Sequence, residues 1–117
     1  MTGKLYHYKA NVVSVYDGDT IHADIDLGLY SWRKKEKIRL ARINAPELRG
    51  AEKEKGRAAR DYLRSRILGK DILLETIKDR RGKWGRFLGD IWLNEKGTWV
   101  NVNDEMVEKG FAKYVMY

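Results

Sequence analysis

The chain has no cysteine and a single proline, Pro46. Without thiols it can form neither a disulfide nor a thiolate zinc or iron–sulfur centre, so any metal must be held by oxygen or by His7 and His22. No apolar run approaches the roughly 18 residues of a membrane span, and residues 1–9 hold no apolar stretch of signal-peptide length. As it stands the chain reads as soluble and cytoplasmic, with no membrane partner; a leader removed ahead of Met1 would make it secreted instead. No repeat, low-complexity tract or linker interrupts the sequence. Its 117 residues match one domain of the usual size of roughly 100 to 200 residues, so residues 1–117 are expected to form a single domain. The 43% apolar content, with 4 Trp, 7 Tyr and 2 Phe, suffices for one compact core with no obligate protein partner, although 35% of residues are charged.

Charge is unevenly spread. Residues 33–70 carry 14 Lys or Arg against 5 Asp or Glu, a net +9 within a chain of net +7. A block this basic suits a polyanion, because Lys and Arg on phosphates gain free energy from counterion release; by charge alone a solvated basic surface is an equal reading.

Residues 5–16, rich in Tyr and Val, read as a strand. Residues 19–27 alternate strictly, Ile21, Ala23, Ile25 and Leu27 opposite Thr20, His22, Asp24 and Asp26, and read as a second, joined to the first by a turn at Tyr16-Asp17-Gly18. Residues 37–43 give a third, with Ile38 and Leu40 on one face, Arg39 on the other and Ile43 off parity, as a bulge would leave it. Residues 28–36 read as a long basic loop. Over 51–68 the period becomes helical, with Ala59, Leu63 and Ile67 on one face, Lys53, Arg57, Arg60 and Arg64 on another, and Gly69 as the stop. Residues 71–77 and 86–93 read as two more strands, and Asn103 as the cap of a short helix over 104–109 closed by Gly110. Five strands with a helix after the third and another at the end make an α+β, mainly β chain, compatible with a five-stranded OB barrel and with other α+β folds.

Three segments carry polar groups that no core pattern requires: Asp17-Gly18-Asp19-Thr20, residues 39–47, and Lys83-Trp84-Gly85-Arg86. Each alone is ordinary turn chemistry. Together and in this order, "VYDGDTI", "KIRLARINAPE", "KWGRFLGDIWL" and "VNDEMVEKGFAK" closely resemble the staphylococcal nuclease (thermonuclease-like) family over about residues 12–113, nearly the whole chain.

The resemblance implies an OB-fold barrel and a phosphodiester-cleaving hydrolase acting on DNA or RNA and leaving 3′-phosphate ends. It implies a calcium ion, or another divalent ion, on Asp19, the Asn44 side chain and the Ala45 carbonyl. It puts catalytic arginines at Arg39 and Arg86 and a water-activating carboxylate at Glu47. Guanidiniums suit the charge that builds on a phosphorane-like transition state, calcium is an oxygen-seeking cation, and a carboxylate can take a proton from water. Lys83 and Trp84 match a Lys-Tyr pair that contacts a terminal phosphate, and the Arg57, Arg60 and Arg64 stripe becomes a candidate nucleic-acid contact. The chain departs from the family where Asn44 replaces an Asp and Ala45 a Thr, which removes one ligand charge. Trp84 replaces a tyrosine, the loop over 28–36 is longer than in the best-known member, the chain stops before that member's last helix, and Met116 falls where a base-stacking tyrosine stands, leaving Tyr114 or Tyr117 to substitute.

Taken singly, Asp19 reads as a turn residue, Arg39 and Arg86 as strand residues on a wet face, and Glu47 as solvated surface. His7 and His22 lie outside the motif roles and read as surface or packing. Retention of Asp19, Arg39, Glu47 and Arg86 together favours a nuclease over the alternative, a catalytically inactive OB module that binds nucleic acid or protein.

Overall fold

The computed structural model describes residues 6–81 and 86–115. His7–Asp17 (β1), Thr20–Gly28 (β2) and Ser31–Leu40 (β3) form an antiparallel meander. Asp71–Arg81 (β5) pairs with β1, and Phe87–Glu95 (β6) pairs with β5. Parallel pairing of Ile38–Leu40 in β3 with Phe87–Gly89 in β6 closes these five strands into a barrel, the OB-type architecture expected. Thr98–Asn101 (β7) extends the sheet beyond β6, and Ile43–Asn44 (β4) pairs with Lys113–Tyr114 (β8) as a separate ribbon.

The alternation in β2 does what it promised: Ile21, Ala23 and Ile25 face a single core that also takes Ala10, Val12 and Val15 of β1 and Ile38 and Leu40 of β3. Lys53–Ile67 (α1) closes the barrel with the buried face Gly56, Ala59, Leu63 and Ile67, and Gly69 ends it at φ +75°. Full burial of Leu63 and Ile67 contributes about 1.5 to 3 kcal/mol each.

Four local expectations are corrected. Residues 28–36 are not a loop but most of a β-hairpin, with Asp26 opposite Trp32 and Gly28 opposite Ser31. Ser31 to Lys35 are exposed on both faces, so they leave no alternation to read. The turn itself is Leu29-Tyr30, both left-handed at φ +54° and +61°, a conformation costing non-glycine residues about 1 to 3 kcal/mol each. Ile43 is off parity because β3 ends at Leu40 and Arg42 turns left-handed at φ +69°, which starts β4 rather than a bulge. The cap of Val102–Glu108 (α2) is Asn101, whose side chain accepts from the Asp104 N–H at 3.0 Å. Asn103, two residues on and within the first turn, is instead fully buried, accepting from Ile91 N–H and donating to the Ala41 and Gly89 carbonyls, which bolts α2 to β6. Finally, β7 and β8 add strands where none was expected.

Candidate active site

A two-residue turn, Gly18-Asp19, joins β1 to β2 and leaves Asp17 opposite Thr20. Gly18 is required by proximity: a Cβ there would stand 2.7 Å from the Ala45 Cβ and 2.8 Å from that of Ala59. The turn is thereby pressed between the segment after β4 and helix α1. Asp19 is buried at 7% exposure. Its Oδ2 accepts from Ala45 N–H at 2.8 Å and its Oδ1 from the Thr20 hydroxyl at 3.2 Å.

Arg39 stands opposite Thr20 on β3, and its guanidinium lies across the chain exit from that strand. Nη1 donates to the Leu40 carbonyl at 2.8 Å and the Ile43 carbonyl at 3.0 Å, and Nη2 to Asn44 Oδ1 at 3.2 Å, with Asp19 Oδ2 3.3 Å away. Arg39 is thus a structural clasp as well as a charge at the site. Arg86, half-buried, enters from the start of β6. Glu47 is exposed, and its backbone is pinned under α1, where a Cβ on Gly56 would fall 2.1 Å from the Glu47 carbonyl oxygen.

These groups meet. Asp19, Arg39, Asn44, Ala45, Glu47 and Arg86 line one open cleft of about 710 Å³. The cleft also takes in Asp17, Tyr16, Lys37 and Arg49, for which the sequence implies no role, and His22, which reads as surface or packing. His22 Nδ1 lies 3.3 Å from the Ser14 hydroxyl, whereas His7 packs 3.6 Å from Glu75 away from the cleft. The Arg57, Arg60 and Arg64 stripe is not part of this lining. Arg64 donates to the Val15 carbonyl at 3.2 Å and Arg60 to Asp61 at 3.1 Å. Lys83 and Trp84 lie outside the described residues.

Asp17 is the residue whose signal was overlooked, two positions before Asp19 in the same motif. Its Oδ1 accepts from Asp19 N–H at 3.0 Å. Burial, and next the neighbouring Asp19 carboxylate, push its carboxyl up from 3.8 to about 6. Because the folded value lies above the unfolded one, the native state keeps a proton that the unfolded chain has lost, and stability falls as pH rises from about 4 through about 6. We therefore expect Asp17→Asn to raise the melting temperature at about pH 7.5 in EDTA and to have no effect below about pH 4. Equal melts at the higher pH would show that Asp17 carries no such penalty.

The Asp17 and Asp19 carboxylates and the Asn44 amide oxygen are donors of the type a hard cation takes, and the two carboxylates tolerate each other's charge poorly, but Asn44 Oδ1 and Asp19 Oδ2 both face the Arg39 guanidinium in this structure. Among the described residues no third carboxylate or histidine joins them, so water and substrate oxygens would have to complete the ion's shell.

A closed OB barrel whose acidic turn lines one cleft with two arginines is the architecture of a staphylococcal nuclease domain. The family model described as "Staphylococcal nuclease homologue" matches residues 37–117, and the chain belongs to that family. It is similar to an uncharacterized protein of Methanocaldococcus jannaschii (25% identity over 92% of this chain and 59% of that protein). It is also similar to protein ParB of Escherichia coli (33%, over 89% and 55%) and to a thermonuclease of Staphylococcus hyicus (26%, over 91% and 59%). The chain thus spans between 55% and 59% of the length of these relatives.

Proposed function

We propose that the protein is a divalent-ion-dependent nuclease that hydrolyses phosphodiesters of DNA or RNA and leaves 3′-phosphate ends. The observation that carries this reading is the convergence of Asp19, Arg39, Glu47 and Arg86, from four separate parts of the chain, on one cleft. A calcium ion held by Asp19, Asn44 and the Ala45 carbonyl, with Asp17 beside them, would supply charge neutralisation at the scissile phosphate. Glu47 accepts a proton from water whose oxygen attacks phosphorus; the bond to the 5′ oxygen breaks, and that oxygen takes a proton from solvent as it leaves. Arg86 and Arg39 face the negative charge that accumulates on the phosphoryl oxygens. Similarity to a thermonuclease supports the assignment of the reaction.

The deciding experiment is degradation of plasmid DNA and of RNA with calcium, with magnesium and in excess EDTA. Cleavage with a divalent ion and none in EDTA is expected; undiminished cleavage in EDTA would refute the ion's role. The missing ligand charge gives a sharper check. Asn44→Asp would set a third carboxylate beside Asp17 and Asp19, and calcium affinity should rise by about tenfold, the scale of one partly screened charge interaction. Equal or weaker binding by calorimetry would remove Asn44 from the ligand set.

A further inference from the structure

The tip of the β2–β3 hairpin presents apolar surface the fold does not use. Leu29 and Tyr30 are 98% and 102% exposed, and Leu27 and Trp32 behind them are each 46% exposed. A tight two-residue turn with both residues left-handed is built most easily from Asn-Gly. Here the same positions hold Leu and Tyr at φ +54° and +61°, neither contributes to the core, and the turn is strained for their sake.

Cations stand directly behind this tip. Lys34 Nζ lies 4.6 Å from the Trp32 ring centre and Lys35 follows it on β3, while Lys37 stands farther back, opposite His22 on the cleft wall. The nearby carboxylates are taken up within the hairpin: Asp26 accepts from Gly28 N–H at 2.8 Å, Asp24 accepts from Lys35 N–H at 2.8 Å and pairs with Lys34 at 3.6 Å, and Glu36 pairs with Arg33 at 3.2 Å. Among the described residues the Lys35 and Lys37 ammoniums have no carboxylate partner.

We propose that this fingertip docks on an anionic lipid bilayer, with Leu29 and Tyr30 entering the interface, Trp32 at headgroup level, and Lys35 on the lipid phosphates, joined by Lys34 as it exchanges Asp24 for a phosphate. Aliphatic tip, amphipathic rings, then flexible cations is the order in which a bilayer changes from hydrocarbon to headgroup. The projection is narrow and convex, which suits a deformable surface. Tyr30 and Trp32 could each stack on a base, but the fully exposed Leu29 could not, whereas a bilayer interface takes all three. No helix of the described residues is long and apolar enough to cross a membrane. The inference does not depend on the nuclease reading.

Sedimentation with phosphatidylcholine vesicles containing about 30% phosphatidylserine tests it. The wild type should bind at low salt and be released as salt rises. Leu29→Asn combined with Tyr30→Gly should lower vesicle affinity by about tenfold or more through lost apolar contact. The same variant should melt at or above the wild-type temperature, because it installs the preferred turn, so misfolding cannot account for the loss. Lys35→Glu should cost roughly fivefold or more. Absence of wild-type binding to these vesicles at low salt, or wild-type affinity in the double variant, overturns the proposal. So does a double variant that keeps vesicle binding but loses affinity for a single-stranded oligonucleotide, since the tip would then belong to the nucleic-acid surface.

Discussion

Replacing Glu47 by glutamine is expected to slow phosphodiester cleavage by about 10² to 10⁴, the range for loss of a positioned general base, with the thermal melt close to that of the wild type. The two halves of this expectation rest on different observations. Glu47 is exposed on the cleft wall, and no hydrogen bond or ion pair holds its side chain among the described residues. An isosteric amide therefore removes proton affinity and little else. Its position is set through the backbone, by the contact of its carbonyl with Gly56 of α1. Gly56→Ala should accordingly lower activity too, but together with stability, because a Cβ cannot fit between the helix and the Glu47 carbonyl. A pH–rate profile separates the cases. Loss of the basic-form dependence in Glu47→Gln, with its retention in Gly56→Ala, identifies Glu47 as the base; an unchanged rate and profile in Glu47→Gln assigns that work elsewhere.

The Glu47 segment also shows where the sequence was readable. Strands whose two faces meet different environments, such as β2 with Ile21, Ala23 and Ile25 inward, declare themselves by alternation, and α1 does so by its Ala59, Leu63 and Ile67 face. Alternation reports burial and not hydrogen bonding. The outer half of β3, exposed on both faces, therefore resembles a loop, and the two-residue strands β4 and β8 are too short to carry any period. The site follows the same division. Singly these residue types read as turn and surface; the family resemblance pointed to Asp19, Arg39, Glu47 and Arg86, and all four line the cleft. What makes the cleft possible is small residues packed at long range, Gly18 against Ala45 and Ala59, and Gly56 against Glu47. As letters these are only a turn glycine and a helix glycine. Asp17 was hidden for a related reason: Asp-Gly is common turn chemistry, and only burial beside Asp19 sets it apart. The same ambiguity covers Asn101 and Asn103, since either suits a helix cap by type and only the fold shows which one is buried.

The two arginines should separate from each other when each is changed to alanine. Both substitutions are expected to lower turnover by about 10² to 10³, the scale for losing one preorganised donor to a developing oxyanion, and to change substrate affinity much less. Their effects on stability should differ. The Arg39 side chain is 11% exposed beside an Asp19 side chain at 9%, and it donates to the Leu40 and Ile43 carbonyls and to Asn44. Its removal strands those acceptors and leaves Asp19 without its cation, at a cost of about 3 to 5 kcal/mol. It also frees the exit from β3 that holds Asn44 and Ala45 in place, so calcium affinity should fall along with the melting temperature. Arg86 is half-buried just before β6, more open to solvent than Arg39, and its replacement should reduce turnover with a smaller shift in the melt than Arg39→Ala gives. Arg39→Lys sharpens the contrast: it keeps the charge but not the planar fork that reaches two carbonyls and an amide together, so it should recover part of the stability and little of the rate. The measurements are kcat and KM from initial rates on a defined oligonucleotide, beside melts of each variant at saturating calcium. If Arg86→Ala cleaves at the wild-type rate and Arg39→Ala loses activity only in proportion to its unfolding, both arginines are structural, and the cleft is better read as the binding surface of an inactive OB module.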